Sequence, residues 1–244
     1  MEELYSAIFK RRSMRKYDDA LSLTAAQLEA MRDFARQLAP LDAGIRTACE
    51  FAPRADTTAK FGEYCALFFS EDKPGAALNT GYMLEQLDLY LAAHDIGACW
   101  YGLARPKKEM PGGLLFHILL AFGQSRPEDF RDGAADFSRR PREDVWTGAF
   151  DSDVVEAVRV SPSACNCQPW RYSSGGGRVE VLRETALRTF IPPSRRAFFN
   201  SIDVGISLFH FECACAHKGI RFERTLCEPH RRGSLVETAV YKIG

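Results

Sequence analysis

Two long, mostly apolar helical runs, residues 79–94 and 200–218, do most to limit what this chain can fold into. In the first, Met83, Leu84, Leu87, Tyr90 and Leu91 cover much of the circumference, the pattern of a helix buried between layers or halves. Each run ends near a histidine and a glycine (His94 and Gly97; His217 and Gly219). Strand-like segments follow in both cases, 98–102 and 113–122 after the first, 221–224 and 237–241 after the second. Shorter helices precede each run, so one supersecondary plan reads as used twice.

The remaining segments fit that plan. Residues 2–12 read as a short amphipathic helix with Leu4 and Ile8 on one face. Thr24, with Gln27 three residues on, is a capping box opening a second helix that Pro40 ends. Residues 42–62 carry no decisive pattern, and the run 65–69 reads as a buried strand. Residues 113–122, almost wholly apolar, read as a central strand, with His117 as a core histidine. Residues 123–146 turn charged and read as a linker. A helix capped at Asp151 or Ser152 restarts the pattern, and Gly175, Gly176 and Gly177 join a hairpin. These glycines lack the strand–GxGxxG–helix context of a dinucleotide loop.

The chain's 244 residues hold 32 basic and 32 acidic side chains, so no net field draws it to nucleic acid or an anionic membrane. No apolar run approaches a membrane span, and the first residues do not read as a signal peptide; a cytoplasmic location is expected. None of the eight cysteines forms Cys-x-x-Cys, and most are expected to be small buried hydrophobes. His210, Cys213 and His217 share one helix face, but the outer two lie about 10 Å apart along the axis, so three ligands on one straight helix cannot converge on a metal. No metal is expected.

Two stretches carry chemistry. Lys10-Arg11-Arg12-Ser13-Met14-Arg15-Lys16 sets five cations around a serine, a donor set suited to phosphate oxygens or equally to a solvated helix end. Ser161-Pro162-Ser163-Ala164-Cys165-Asn166-Cys167-Gln168-Pro169-Trp170 places two carboxamides on a backbone stiffened by proline. Gln168, preceding Pro169, is expected to be extended with its amide projecting toward a planar ligand edge; a polar turn after a helix is the other reading.

Together with Gly97-Ala98-Cys99-Trp100-Tyr101-Gly102, these stretches resemble the FMN-dependent nitroreductase family. In typical members both motifs lie early in one chain and two chains build two sites across a dimer interface. Here the basic motif stands in the first half, where Phe51-Ala52-Pro53-Arg54 is followed by no Pro-Ser run; the second motif stands in the second half, where Pro193-Ser194-Arg195-Arg196 is at most a worn trace of the first. The resemblance therefore implies the subgroup in which one chain imitates the dimer: an α+β nitroreductase-like fold with central, mostly antiparallel sheets packed by helices. Its parts would be a first half over 1–125, a charged linker over 126–150 and a second half over 151–244. A monomer is then possible, with one FMN per chain.

The family's roles, carried over, give Arg11, Arg12, Ser13 and Arg15 to the FMN phosphate and ribityl chain, with Arg139 or Arg140 as a late basic contact. Pro162, Ser163, Ala164, Asn166 and Gln168 would line the isoalloxazine, and Tyr101 and Gly102 would offer backbone near flavin N5. The implied reaction moves hydride from NADH or NADPH through FMN to a nitroaromatic, quinone or similar small-molecule acceptor in a ping-pong cycle. The alternatives are a non-catalytic FMN-binding or storage protein, a reductive dehalogenase or dehydrogenase on the same fold, and a thiol-redox protein using Cys165 and Cys167.

Overall fold

The computed structural model describes residues 2–18, 20–108 and 112–244. Its first half runs α1 (Glu2–Lys10), α2 (Ala25–Ala35), β1 (Thr47–Pro53), β2 (Tyr64–Ser70), α3 (Ala76–Ala93), β3 (Ile96–Tyr101) and β4 (Leu115–Gln124). The connecting stretch holds α4 (Arg142–Val145) and β5 (Trp146–Thr147). The second half runs α5 (Ser152–Arg159), β6 (Trp170–Gly175), β7 (Arg178–Glu184), α6 (Pro193–His217), β8 (Phe222–Leu226), β9 (Arg231–Arg232) and β10 (Leu235–Ile243).

The described strands form two sheets of the same order. In the first, β1-β2-β4-β3, every pairing is antiparallel. In the second, β6-β7-β10-β8 repeats that order antiparallel, with β5 added in parallel at the β6 edge and β9 beside β10. Each half is thus a hairpin, a long helix and a second antiparallel pair.

The two long helices α3 and α6 cross in the middle, and glycine is what lets them touch. A Cβ on Gly81 would lie 1.9 Å from the Ile202 carbonyl oxygen; one on Gly205 would lie 2.0 Å from that of Leu78. Each contacted residue stands three positions before the other helix's glycine, so the crossing has the reciprocity of a two-fold axis. Leu84, Leu87, Leu91, Ile202 and Ile206 fill the core on one side of it, Leu89, Leu208 and Phe211 on the other. Being apolar all round, both helices are buried along most of their length.

Several local expectations shift. The α2 capping box is present: the Gln27 N–H donates to Thr24 Oγ1 and the Thr24 N–H to Gln27 Oε1. Asp151 caps α5 through the N–H groups of Asp153 and Val154. The undecided 42–62 stretch contains β1, an edge strand with only half-buried faces, which explains its mixed composition. α1 ends two residues earlier than read. α3 is ended by Asp95, whose φ of 57° is left-handed; Gly97 lies inside β3, where a Cβ would meet Ser125 Oγ and Met14 Sδ. α6 starts at Pro193, so the supposed trace of a basic motif is simply its first turn. The charged connecting stretch is no detached tether: Phe130, Phe137, Val145 and Trp146 are buried in the core, and the Arg131 N–H donates to the Lys10 carbonyl at 3.0 Å.

Candidate functional site

The loop between α5 and β6 is held in an unusual conformation. Cys165, Asn166 and Gln168 have φ of 52°, 53° and 50°, left-handed values that cost non-glycine residues about 1 kcal/mol or more each. Gln168 is therefore not extended, despite the proline after it. Local bonds outweigh the pre-proline preference. The Gln168 N–H donates to Ser163 Oγ at 2.9 Å, the Asn166 N–H to the Ser163 carbonyl at 3.0 Å, and the Ala164 N–H to Asp203 Oδ1 on α6 at 2.9 Å. Backbone strain held this way is characteristic of functional loops.

The two carboxamides brace this loop. Gln168 is buried, its Oε1 accepts the Arg140 N–H at 2.8 Å, and its Nε2 donates to Asn166. Asn166 Oδ1 accepts from Arg139 at 3.0 Å, and its Nδ2 donates to the Ser138 carbonyl. The projecting amide read from the sequence is thus turned inward, because the connecting stretch offers it partners that lie about 28 residues away along the chain.

A cavity of about 470 Å³ opens between the halves. Ser13 and Arg15 line it from the segment after α1, Tyr101 and Gly102 from the end of β3, and Pro162, Ser163, Ala164 and Cys165 from the strained loop. Phe61, Phe190, Phe199, Ile202 and Asp203, none of them singled out in the sequence, complete much of the wall. Gly102 allows Phe199 to approach: a Cβ there would lie 2.6 Å from the ring. β3 is an edge strand, and the chain after α1 bridges it at Ala98, where the Met14 N–H donates at 2.9 Å. The outer backbone edge of Trp100–Gly102 lies beyond that bridge, along the cavity. Tyr101 is held by stacking on Phe61 at 4.6 Å.

Arg11, Arg12, Arg139, Arg140, Asn166 and Gln168 do not line the cavity. Arg11 is buried against Asp88, Nε to Oδ2 at 2.9 Å, and Asp88 also accepts from Trp100 Nε1. Burial opposes the Arg11 charge, but Asp88 and Glu85 outweigh it and raise its pKa. Arg12 is exposed and donates to the Asp129 carbonyl at 3.3 Å. Arg139 donates to the carbonyls of Ser161, Val160 and Ser138. Arg131, missed by the sequence reading, donates to the carbonyls of Arg11 and Asp136. Both guanidiniums flank the Phe137 ring, at 4.0 Å for Arg131 and 5.3 Å for Arg139. Neither has a carboxylate within salt-bridge distance among the described residues. Burial, then neighbouring arginines, pushes Arg139 down to about 9 and Arg131 down to about 10. This end of the site is a crowded, under-neutralised cationic cluster.

Other polar groups are spent internally. His210 is fully buried, Nδ1 on the Ala157 carbonyl at 2.9 Å and Nε2 on Glu85 at 2.7 Å; His217 stacks on Tyr5 and pairs with Glu2. His117 lies 2.7 Å from Thr80 Oγ1. Cys167 is buried, and burial followed by the adjacent Asp203 pushes its thiol far above the usual range, which disfavours the thiolate that thiol-redox chemistry needs. No helix of the described residues is long and apolar enough to cross a membrane.

The solved structure described as that of a putative nitroreductase from Thermotoga maritima MSB8 superposes on this fold with a TM-score of 0.64. It is 18% identical over 98% of this chain and 93% of its own. No curated protein matches the sequence. The profile of the family described as "Putative TM nitroreductase" matches residues 3–215.

Proposed function

The chain belongs to the TM nitroreductase family, and we propose on that basis that it is an FMN-dependent oxidoreductase of the nitroreductase type, with NADH or NADPH as electron donor and a nitroaromatic, quinone or similar acceptor. One observation carries the reading: Ser13 and Arg15 share a cavity with Pro162, Ser163 and Ala164, about 150 residues away in the chain. The site fits the cofactor chemically. A strong anion would neutralise the cluster around Arg139 and Arg131, and an apolar cavity with a backbone edge along one side suits a flat heteroaromatic ring.

On this reading Ser13 and Arg15 take the phosphate, while Arg11, Arg12, Arg131, Arg139 and Arg140 keep that end of the site positive. Asn166 and Gln168 act by bracing Pro162–Cys165 against the ring. Tyr101 and Gly102 present backbone toward its reactive edge. FMN held by these residues would supply hydride-transfer chemistry between nicotinamide and acceptor, and the single cavity would then serve donor and acceptor in turn, a ping-pong order. The apolar wall from Phe61 and Phe199, with the exposed Phe190 ring at its edge, favours flat aromatic acceptors.

The repeated strand order and the reciprocal glycine crossing support a chain that imitates a dimer, with halves at 1–125 and 151–244. A second cavity, about 360 Å³, lies at the matching place on the other side, lined by Leu78 of α3, Leu226 of β8 and Thr238 of β10. It has no counterpart of Arg11-Arg12-Ser13-Met14-Arg15, so one FMN per chain is expected. Fluorescence titration of the purified chain with FMN tests both statements. Saturation at one equivalent, lost in Ser13→Ala/Arg15→Ala, is the expected result; no binding by the unaltered chain refutes the reading.

A further inference from the structure

Asn79 and Asp203 hold the same position in the two halves. Each stands two residues before the glycine of the helix crossing, and each is almost fully buried. Asn79 Oδ1 accepts the N–H groups of Leu41 at 2.8 Å and Asp42 at 3.2 Å; Asp203 Oδ1 accepts that of Ala164 at 2.9 Å. Both side chains therefore brace the loop that leads into the first hairpin of their own half. The first half does this with a carboxamide, so the bracing requires no ionisable group. Asp203 differs in being a carboxylic acid and in lining the cavity that holds Ser13, Arg15 and the strained loop.

Its surroundings leave the acid without a cation. The loop presents the Ala164 N–H and the Cys167 thiol, the latter 3.5 Å from Oδ2; its own helix presents Asn200, whose Oδ1 is the thiol's other acceptor at 3.6 Å. Arg15 and Tyr101 are the other ionisable side chains on the described cavity wall besides the exposed Cys165. Burial pushes Asp203 up to about 7 against the two hydrogen bonds it accepts, so both protonation states are populated near neutrality.

We propose, resting on the oxidoreductase reading above, that Asp203 is the acid that delivers the proton an acceptor takes up with its hydride. Two-electron reduction of a quinone-like acceptor adds one hydride, supplied by reduced FMN, and one proton. The hydride forms the new bond to the acceptor and brings the electron pair. The Asp203 O–H bond breaks, its proton goes to the acceptor oxygen that has gained charge, and the carboxylate left behind takes a proton from water before the next turnover.

Asp203→Asn tests this, because Asn79 shows that an amide can hold such a loop and the Cys167 thiol retains Asn200 as acceptor. Two readouts are needed. Without cofactor, the stability of the unaltered chain relative to Asp203→Asn should fall as pH rises from about 4 to 7, since the folded state keeps a proton on Asp203 that the unfolded state releases, while the contributions of Glu85 and His210 are common to both chains and cancel. In the FMN-loaded protein, reduction by nicotinamide and FMN affinity should be unchanged, while reoxidation by a quinone slows about 100-fold and loses its pH dependence near 7. Wild-type reoxidation rates and pH profile in Asp203→Asn would overturn the proposal while leaving the oxidoreductase reading intact; failure of the unaltered chain to bind FMN would strike the reading itself. If Asp203→Asn does not fold, the unaltered protein decides: a solvent deuterium effect on reoxidation that titrates near 7 is expected, and its absence overturns the proposal.

Discussion

Arg11 Nε and Asp88 Oδ2 lie 2.9 Å apart with both side chains almost wholly buried, tying the end of α1 to the middle of α3. Removing one partner strands a buried charge. Asp88→Ala should cost about 3–5 kcal/mol in urea unfolding, whereas a double Arg11→Met/Asp88→Leu replacement should recover most of that. Equal losses in both variants would mean that the ion pair is not what the site depends on.

The helix crossing tolerates no side chain. Gly205→Ala places a methyl 2.0 Å from the Leu78 carbonyl oxygen, and backbone cannot swing away as a side-chain tip can. A loss of about 1–3 kcal/mol or more is expected, measured by thermal unfolding, with a similar loss for Gly81→Ala. The double variant should lose less than the sum, because the first substitution already parts the helices.

Glu85 and His210 bridge the same two helices as a neutral pair. Nδ1 of His210 must donate to the Ala157 carbonyl, so with a neutral ring the Glu85 carboxyl donates to Nε2. Burial pushes Glu85 well above its ordinary value and His210 down to about 3. The signs are opposite. Below pH ~6.5 the unfolded histidine binds a proton the folded one refuses, so stability falls with falling pH; above pH ~4.5 the unfolded glutamate releases a proton the folded one keeps, so stability falls with rising pH. Glu85→Gln keeps a donor for Nε2 and should be more stable than the unaltered chain at pH 8. Urea midpoints across pH 5–8 check this, and a uniform loss would indicate an ionised pair.

On the proposed FMN reading, Arg139 probes the phosphate end of the site apart from the ring end. Arg139→Ala should weaken FMN binding up to about 10-fold by lowering the positive potential at the phosphate end, and should weaken riboflavin binding much less. Calorimetric titration with both ligands reads the ratio directly. Equal losses would mean that Arg139 acts only by holding Ser161 and Asn166.

What could be read from the chain alone was local chemistry. The Thr24–Gln27 capping box, the Asp151 cap and the glycine hairpin after β6 each depend on residues within a few positions of one another. The motifs around Ser13 and Ser163 were legible as residue types, and the resemblance joined them. The inward turn of Gln168 was not, since its partner is the Arg140 N–H on the connecting stretch. Arg131 and Asp203 were hidden for the same reason: one is an arginine in a charged run, the other an aspartate on an apolar helix. A buried acid on such a helix is the one signal that could have exposed Asp203 beforehand.

Because Arg15 and Ser163 belong to one polypeptide yet face one cavity, assembling that cavity is a unimolecular event. A site shared between separate subunits comes apart on dilution; here the two walls stay at a fixed effective concentration set by the chain between them. The integrity of the cavity should therefore be indifferent to how little protein a compartment holds, and each wall can change by mutation without altering a second copy of itself.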